Sequence, residues 1–529
     1  MSLLRNFATV GGATLSSRLL GFVRDILMAA ALGTGPVADA FVVAFRFPNL
    51  FRRVFAEGAF NSAFVPLFSR ALEGEESEAE RRARAKAFAE EAMAGLLTVL
   101  TLVCAVAMIA MPILMLVLAP GFVGDPEKFD LAVLLTRITM PYLALVSLLA
   151  LISGVLNGLG RFAAAAFAPV MLNVVLIAVL WLILASGFAG AEQAGLYLAV
   201  GVLIGGFAQL ALVIVDLHRA GFFLKLTRPR WSDKMKRLVT LGVPGVIAGG
   251  ITQINIVVGT MIASLQAGAV SLLYYADRLY QLPLGVVGIA IGVVLLPELA
   301  RRLKAGDATG AQTASARSLE FSMLLTLPAA VGLAAIPVEL VSVLFERGAF
   351  GEEARLGTAA ALQAFALGLP AFVLIKVFSP AFFAREDTKT PMQVGALSVA
   401  VNVAASLALF PFIGHVGIAL ATSLAGWVNA LVLYRLMVKR GYWHIDRALG
   451  IKIALLLACA LAMGAVLLAL AMLLADWMVI GQPLLLRIAG LGLLVVAGII
   501  AFFGLAHVTG ASRLGDMKRM LVRRQTADG

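Results

Sequence analysis

The chain has 529 residues, of which 61% are hydrophobic and only 14% are charged, with a formal net charge of +12. Its mean hydropathy is +0.98. Soluble globular proteins average about 45–50% apolar and about 25% charged residues, so the composition excludes that class and indicates a polytopic membrane protein. Cys104 and Cys459 both fall in apolar runs, and we therefore expect two buried thiols rather than a disulfide.

Apolar segments long enough to cross a bilayer follow one another along the whole chain. They predict an all-α polytopic membrane protein with about fourteen transmembrane helices. Several segments exceed 25 residues, so we expect tilted or kinked helices, with candidate kink sites at Pro48, Pro112, Pro244, Pro283 and Pro328. The predicted spans are 6–32, 37–66, 88–118, 129–157, 160–186, 192–218, 236–265, 270–300, 314–346, 356–384, 391–411, 414–438, 449–475 and 483–508.

Lysine and arginine residues are concentrated in alternate connections between the predicted spans. If the N-terminus lies inside, the inner segments hold 30 of the 42 basic residues. The outer segments hold about five, namely Lys128, Arg137, Arg347, Arg355 and Arg487. This asymmetry follows the positive-inside rule and predicts that both termini are cytoplasmic. The basic excess is therefore mainly a topology signal with some affinity for anionic lipid, and we expect no nucleic-acid partner.

The two halves of the sequence repeat at an offset of 238 residues, at which Gly21 recurs as Gly259 and Asp39 recurs as Asp277. Spans 1–6 and 7–12 are therefore predicted to form two homologous six-helix lobes. An even number of spans in each lobe relates them by an axis along the membrane normal, with substrate bound between them. The predicted divisions are an N-lobe at 1–220, a C-lobe at 221–445, helices 13 and 14 at 446–510 and a basic cytoplasmic tail at 511–529.

Charged residues lie inside the first two predicted spans, where each central arginine or lysine costs ~2.5–3.5 kcal/mol and should face water or a partner. The first span carries Arg18, Arg24 and Asp25. At the repeat offset Arg18 and Arg24 correspond to Ile256 and Ile262, so the equivalent helix folds without these charges. We therefore predict that the first-lobe charges serve function.

The second predicted span presents a polar stripe on an otherwise apolar helix. Its members, with Arg52 at the edge, are Asp39, Arg46, Asn49, Arg53 and Glu57. The planar guanidinium of arginine binds phosphate bidentately, so several arginines around a wet cavity would match a diphosphate. Arg278 in span 8 would add to this site from the second lobe.

Structural explanations of these charges stay open on the residues alone. Neighbouring charges of opposite sign, such as Arg24 and Asp25, can neutralise each other, and side chains near helix ends can snorkel to the interface. The same choice between structural pairing and function is open for Arg46 and Lys376.

Enzyme signatures are absent from the sequence. The four histidines stand singly near helix ends or in loops, and there is no G-x-x-x-x-G-K-[ST] loop. We therefore expect no catalytic residue, no metal site and no cofactor. Coupling of transport to a monovalent cation or to the membrane potential is left open.

Seven segments carry a family resemblance: SRLLGFVRD (17–25), ADAFVVAFRFPNLFRRVFAEGAFNSAFVP (38–66), APGF (119–122), FAPVMLN (167–173), YYADRL (274–279), LLPEL (295–299) and REDTKTP (385–391). They closely resemble the MurJ (MviN) lipid II flippase family, within the multidrug/oligosaccharidyl-lipid/polysaccharide exporter superfamily. The resemblance covers nearly the whole chain. It implies fourteen transmembrane helices in two six-helix lobes, with helices 13 and 14 forming a groove for a polyprenyl tail.

The implied function is alternating-access transport of lipid II, an undecaprenyl-diphosphate-linked disaccharide-pentapeptide, outward across the bacterial inner membrane for cell-wall synthesis. Lipid II and membrane lipids are the expected partners, cell-wall synthesis proteins are candidate partners, and we expect a monomer. Some members hold sodium between helices 7 and 11. Helix 7 here offers Gln253 and Asn255 but no acidic residue, so that site is not matched.

The residue pattern and the resemblance together predict roles for individual residues of this chain. The predicted ligands of the diphosphate or headgroup are Arg18, Arg24, Arg52, Arg278 and Asn173. The predicted gating or ion-pair residues are Asp25, Asp39, Arg53 and Glu57. The predicted hinges are Gly21, Gly33 and Gly35.

Three rival functions remain at this level. A related exporter could carry another polyprenyl-linked oligosaccharide or drugs, although a cavity lined by arginine rather than acid disfavours cationic drugs. A membrane enzyme acting on polyprenyl diphosphates would need acidic metal ligands or a nucleophile–base pair, and the sequence offers neither. A channel is the third and weakest alternative.

Overall fold

The computed structural model describes residues 3–52 and 61–512, apart from the side chains of 3–8, 61–62, 244–249, 251–252, 286 and 288–294. Within these residues the backbone forms helices, loops and one isolated bridge between Ile480 and Gln482. The α-helices are α1 (Leu3–Leu32), α2 (Pro36–Phe51), α3 (Asn61–Leu72), α4 (Glu78–Ile109), α5 (Met111–Leu118), α6 (Pro126–Thr139), α7 (Tyr142–Gly158), α8 (Ala163–Ala185), α9 (Glu192–Arg219), α10 (Asp233–Ser264), α11 (Ala269–Lys304), α12 (Ala308–Ala335), α13 (Pro337–Phe345), α14 (Glu352–Ala366), α15 (Leu369–Phe383), α16 (Lys389–Ile413), α17 (His415–Lys439), α18 (Arg447–Leu473), α19 (Ala475–Met478) and α20 (Leu484–Val508).

The predicted all-α membrane fold is confirmed. In the described part of the chain, ten helices are long and apolar enough to cross a membrane, with α6–α7 and α14–α15 each counted as one. The predicted span 37–66 includes residues 53–60, which lie outside the described residues. The count of fourteen transmembrane helices therefore stays a prediction.

Predicted spans in both halves are interrupted at proline. α4 ends and α5 begins beside Pro112, so at this predicted kink site the helix breaks fully and the chain starts a new helix. α12 and α13 are separated in the same way at Pro337. Proline lacks the amide proton that a helix interior needs, but it fits the first turn. Breaks beside Pro141 and Pro370 form a second such pair. The two halves of the chain are therefore similar in where their helices are interrupted as well as in sequence.

The chain divides into two compact units. Unit 1 comprises Met1–Ser271 and Arg347–Gly351, and unit 2 comprises Leu272–Glu346 and Glu352–Gly529. The helix α10, which is predicted span 7, thus belongs to unit 1 with the first six spans. The lobe, groove and tail boundaries drawn from the sequence stay predictions, and the part of the tail beyond residue 512 lies outside the described residues.

In unit 1, the helix α8 packs against both α1 and α9. Glycines on α9 permit the close approach of α8 and also of α7, as small residues do between membrane helices. A Cβ at Gly205 would lie 2.5 Å from Leu172 Cδ1, and a Cβ at Gly206 would lie 2.7 Å from Tyr142 Cδ2. The packing fixes α8, and with it Asn173, against α1.

Unit 2 buries a cation at the start of α20. Arg487 Nη2 donates to the carbonyl oxygen (2.8 Å) and the hydroxyl (2.9 Å) of Ser342 on α13. It also lies 3.8 Å from the buried carboxylate of Glu346, which Arg355 approaches to 3.5 Å. A charge in a low-dielectric interior persists only with such partners. The helix α20, which is predicted helix 14, is therefore tied to α13 by polar contacts.

The loop between α15 and α16 contains the REDTKTP segment. Asp387 Oδ1 accepts a hydrogen bond of 2.9 Å from the Thr390 amide, and Arg440 donates to the other carboxylate oxygen. The hydrogen bonds from Thr390, reinforced by Arg440, lower the pKa of Asp387 to about 2. The motif therefore caps the start of α16 and ties it to the end of α17.

Candidate functional site

A guanidinium group is held between two helices in unit 1. Arg24 on α1 donates to Asp25 Oδ1 from Nε (3.1 Å) and Nη2 (2.7 Å), and to Asn173 Oδ1 on α8 from Nη1 (3.0 Å). Its Cζ lies 6.0 Å from the centroid of the Phe45 ring on α2. Asp25 and Asn173 are buried. The structure thus brings three predicted site residues together, and the Arg24–Asp25 pair that the sequence left open is present.

Asn173 sets the geometry of this cluster because it binds α1 at two places. While its Oδ1 accepts from Arg24, its Nδ2 donates to the carbonyl oxygen of Ser17 at 3.0 Å. Gly21 lies beside it, and a Cβ there would be 3.6 Å from Asn173 Nδ2, an ordinary van der Waals contact. Alanine would therefore fit at position 21, and the hinge role of Gly21 stays a prediction.

The remaining charges of the first two helices have separate surroundings. Arg18 is exposed, and Arg52, directly after α2, is half-buried. Arg46 Nη1 donates to Thr260 Oγ1 on α10 at 3.3 Å. Asn49 Nδ2 donates to the Phe45 carbonyl of its own helix at 2.7 Å. The polar stripe predicted on α2 is therefore divided among different partners.

Asp39, in the first turn of α2, is the centre of a second cluster and is fully buried. Its Oδ2 accepts from Lys128 Nζ on α6 (2.6 Å) and from the Gly268 amide (2.9 Å). Its Oδ1 accepts from the amide (2.9 Å) and the hydroxyl (2.7 Å) of Ser271. The carboxylate thus neutralises a buried lysine and caps the N-terminus of α11, whose first amides have no partner within their own helix.

Sequence reasoning missed Lys128, Gly268 and Ser271 as members of this Asp39 cluster. The sequence predicts Lys128 to be a charge of an outer segment, but the side chain is buried, and its Nζ lies 4.1 Å from the centroid of the Phe122 ring. The signal was the buried charge of Asp39 itself. A buried carboxylate in the first turn of α2 needs a cation from a neighbouring segment.

The C-terminal end of α1 is covered by other segments of unit 1. The carbonyl oxygen of Ala30 accepts from the Ala349 amide, and that of Ala31 accepts from the Gly190 amide, both at 2.8 Å. Gly33 follows with φ +63, and a Cβ there would lie 2.3 Å from the Ala349 carbonyl oxygen. The last carbonyls of α1 are thereby satisfied, and only glycine fits at position 33.

We expect Gly33→Ala to destabilise the protein by at least about 1–2 kcal/mol, because it adds left-handed strain to a backbone clash. Gly35→Ala is the matched control, since Gly35 has φ −82 and an added Cβ would meet nothing within 4 Å. Thermal unfolding in detergent measures both variants. Equal stability of the two would contradict this account of Gly33. Loss of transport without loss of stability in Gly35→Ala would support the hinge prediction at that position.

Other predicted residues lie in unit 2 or outside the described residues. Arg278 on α11 is half-buried, with its Cζ 4.5 Å from the centroid of the Tyr274 ring, and it belongs to unit 2. Lys376 on α15 is exposed. Arg53 and Glu57 lie in the segment 53–60, outside the described residues. The roles predicted for Arg278, Arg53 and Glu57 therefore stay predictions.

Known proteins resemble this chain in sequence over its full length. A profile of the family described as "Lipid II flippase MurJ" matches residues 28–487. The chain is 48% identical over 528 residues to the "Probable lipid II flippase MurJ" of Rhizobium tropici, covering 100% of this chain and 98% of the relative. It is 49% identical over 532 residues to the protein of the same name from Rhizobium meliloti (strain 1021), with 100% and 98% covered.

Solved structures share the fold. A structure described as "Lipid II flippase MurJ, inward closed conformation" superimposes with a TM-score of 0.75 at 24% identity, covering 94% of this chain and 98% of that chain. An inward-facing multidrug resistance MATE family transporter of the MOP superfamily gives 0.62 at 15% identity, covering 80% and 94%. The family profile and the relatives at 48–49% identity decide the family beyond the fold. The chain belongs to the lipid II flippase MurJ family.

Proposed function

We propose that this chain moves lipid II from the inner to the outer leaflet of the cytoplasmic membrane by alternating access. It is a transporter rather than an enzyme. The observation that carries the proposal beyond family membership is the Arg24–Asp25–Asn173 cluster, a largely buried guanidinium held between α1 and α8. Such a group suits an anionic headgroup far better than a cationic or neutral substrate.

The cluster supports binding of a diphosphate through exchange of partners. Asp25 neutralises Arg24 and Asn173 fixes its orientation, so the cost of burying the cation is offset. Phosphoryl oxygens accept hydrogen bonds from the same N–H groups as a carboxylate does, so a diphosphate can compete with Asp25 for Arg24. Arg18 and Arg52 would add positive charge to the diphosphate site. Whether Arg278 also contributes to binding is tested by Arg278→Ala.

The Asp39 cluster supports a gating role at the outer end of unit 1. Rearrangement there must separate one carboxylate from four donors on Lys128, Gly268 and Ser271. The segment Arg347–Gly351 must also leave the last carbonyls of α1. An inside-negative potential favours outward movement of an anion by ~2.3 kcal/mol per charge per 100 mV if it crosses the whole field. The potential can therefore drive or reset the cycle.

Depleting the protein in growing cells is the test of this function. Lipid II is expected to accumulate in the inner leaflet, because its charged headgroup cannot cross the bilayer unaided. A membrane-impermeant probe added to spheroplasts measures how much lipid II faces outward, and restoring the wild-type chain is the control. Normal outward exposure after depletion, in cells without another flippase, would contradict the proposal.

The chain is a multi-pass membrane protein, and we propose that it lies in the bacterial inner membrane with both termini in the cytoplasm. No cofactor is proposed, and coupling to a monovalent cation or to the membrane potential stays an open prediction. The monomeric state and the interaction with cell-wall synthesis proteins are likewise expectations, tested by the mass of the purified protein and by co-purification.

A further inference from the structure

The segment that joins α9 to α10 exposes large apolar side chains in a basic setting. It runs from 220 to 232 without helix or strand. Phe223 is 53% exposed, Leu226 is 67% exposed and Trp231 is 72% exposed. Exposed apolar side chains of this size next to basic residues are typical of segments that lie at a membrane surface.

The segment is held in place by α3 and α4 of the same unit. Phe222 is buried, and its ring centroid lies 6.2 Å from that of Phe68 on α3. The Lys225 amide donates to Glu90 Oε1 on α4 at 2.8 Å, and the Thr227 hydroxyl reaches the Glu90 carbonyl oxygen at 3.4 Å. The exposed side chains are therefore presented from an anchored backbone.

The charge of this region favours an anionic partner. Residues 219–237 contain seven basic residues and a single acidic one, Asp233. The segment begins at the end of α9, a helix long and apolar enough to span the membrane, so it lies at a membrane boundary. On the predicted topology that boundary is the cytoplasmic one. Clusters of four to eight basic residues directly next to a span attract anionic headgroups.

We propose that residues 222–231 form a docking surface for anionic phospholipids of the inner leaflet, with Phe223, Leu226 and Trp231 in the interfacial region and Arg228 and Arg230 on the headgroups. Basic residues alone would serve as a topology signal, and apolar residues alone would sit in any lipid. The combination on an anchored backbone selects negatively charged lipid. The surface is separate from the Arg24 cluster and does not depend on the proposed transport function.

Tryptophan quenching in lipid nanodiscs tests the proposal. The full chain is reconstituted without lipid II into nanodiscs of phosphatidylglycerol and phosphatidylcholine. Only one of the two lipids is brominated in its upper acyl chain in each preparation. The Trp231 signal is the difference between wild type and Trp231→Phe. Quenching is expected to be clearly stronger in phosphatidylglycerol. The Trp181→Phe difference is the control, because Trp181 is exposed on α8 and should be quenched equally by both lipids.

Charge variants separate lipid recognition from simple contact with the bilayer. Arg228→Gln with Arg230→Gln is expected to weaken the phosphatidylglycerol preference by roughly fivefold per charge. Arg81→Gln with Arg82→Gln removes equal charge from α4 and should leave the preference unchanged. Equal quenching of Trp231 by both lipids would overturn the anionic selectivity. No quenching by either lipid would overturn the proposal and point to a protein partner.

Discussion

Asp39→Ala is expected to destabilise the protein by about 3–5 kcal/mol, because it leaves the Lys128 ammonium buried without its carboxylate. Both groups are almost completely inaccessible, and their contact of 2.6 Å is a direct ion pair. The substitution also removes the acceptor for the first amides of α11. Denaturant unfolding of the purified variant in detergent measures the loss. An unchanged unfolding free energy would mean that Lys128 finds another partner.

A double variant separates stability from gating. Asp39→Ala combined with Lys128→Met removes both charges, so most of the lost stability is expected to return. Transport is expected to stay impaired, since the amides of Gly268 and Ser271 still lack the Asp39 carboxylate. Lys128→Met alone is the matched control, because Asp39 keeps three of its four donors. Full recovery of lipid II transport in the double variant would show that Asp39 serves only to neutralise Lys128.

The helices were predictable because membrane spans depend on a local property, the length of an apolar run. The helix ends agree with the predicted spans to within a few residues in most cases, as for α8, α9 and α20. The sequence could not tell a full break at Pro112 from a kink, because proline both kinks helices and begins them. Which of the two occurs depends on whether another segment satisfies the freed backbone groups. Here Arg137 Nε donates to the Met108 carbonyl oxygen at 2.9 Å, a contact far apart in sequence.

The sequence predicts which charged residues lie within the helices, but it does not predict which residues they contact. Arg24 and Asp25 are adjacent, so their pairing could be named from the sequence, whereas the Asn173 contact spans 149 positions. The Asp39–Lys128 contact spans 89 positions and joins residues that the sequence placed in different categories. The segment Arg347–Gly351 carries no apolar periodicity or charge pattern, so nothing local predicted that it covers the end of α1 in unit 1. Long-range polar contacts of this kind depend on how helices pack.

Arg24→Ala is expected to lower lipid II transport about a hundredfold or more, while the protein still folds and inserts. The guanidinium makes charge-assisted hydrogen bonds worth about 1.5–3 kcal/mol each, and a diphosphate would engage at least two of them. Arg24→Lys keeps the charge but loses the planar fork, so it should restore part of the transport and not all. Complementation of depleted cells, with outward-facing lipid II as the readout, measures both variants.

Matched variants decide whether Arg24 acts on the substrate or only on Asp25. Arg161→Ala removes another Arg–Asp pair of unit 1, with Asp216, at the ends of helices, and should leave transport intact. Asp25→Asn frees Arg24 from its carboxylate but keeps the guanidinium, so some transport should survive it, unlike Arg24→Ala. If Asp25→Asn and Arg24→Ala are equally inactive and Arg24→Ala combined with Asp25→Ala regains activity, the pair is structural. In that case the diphosphate must be held by other arginines.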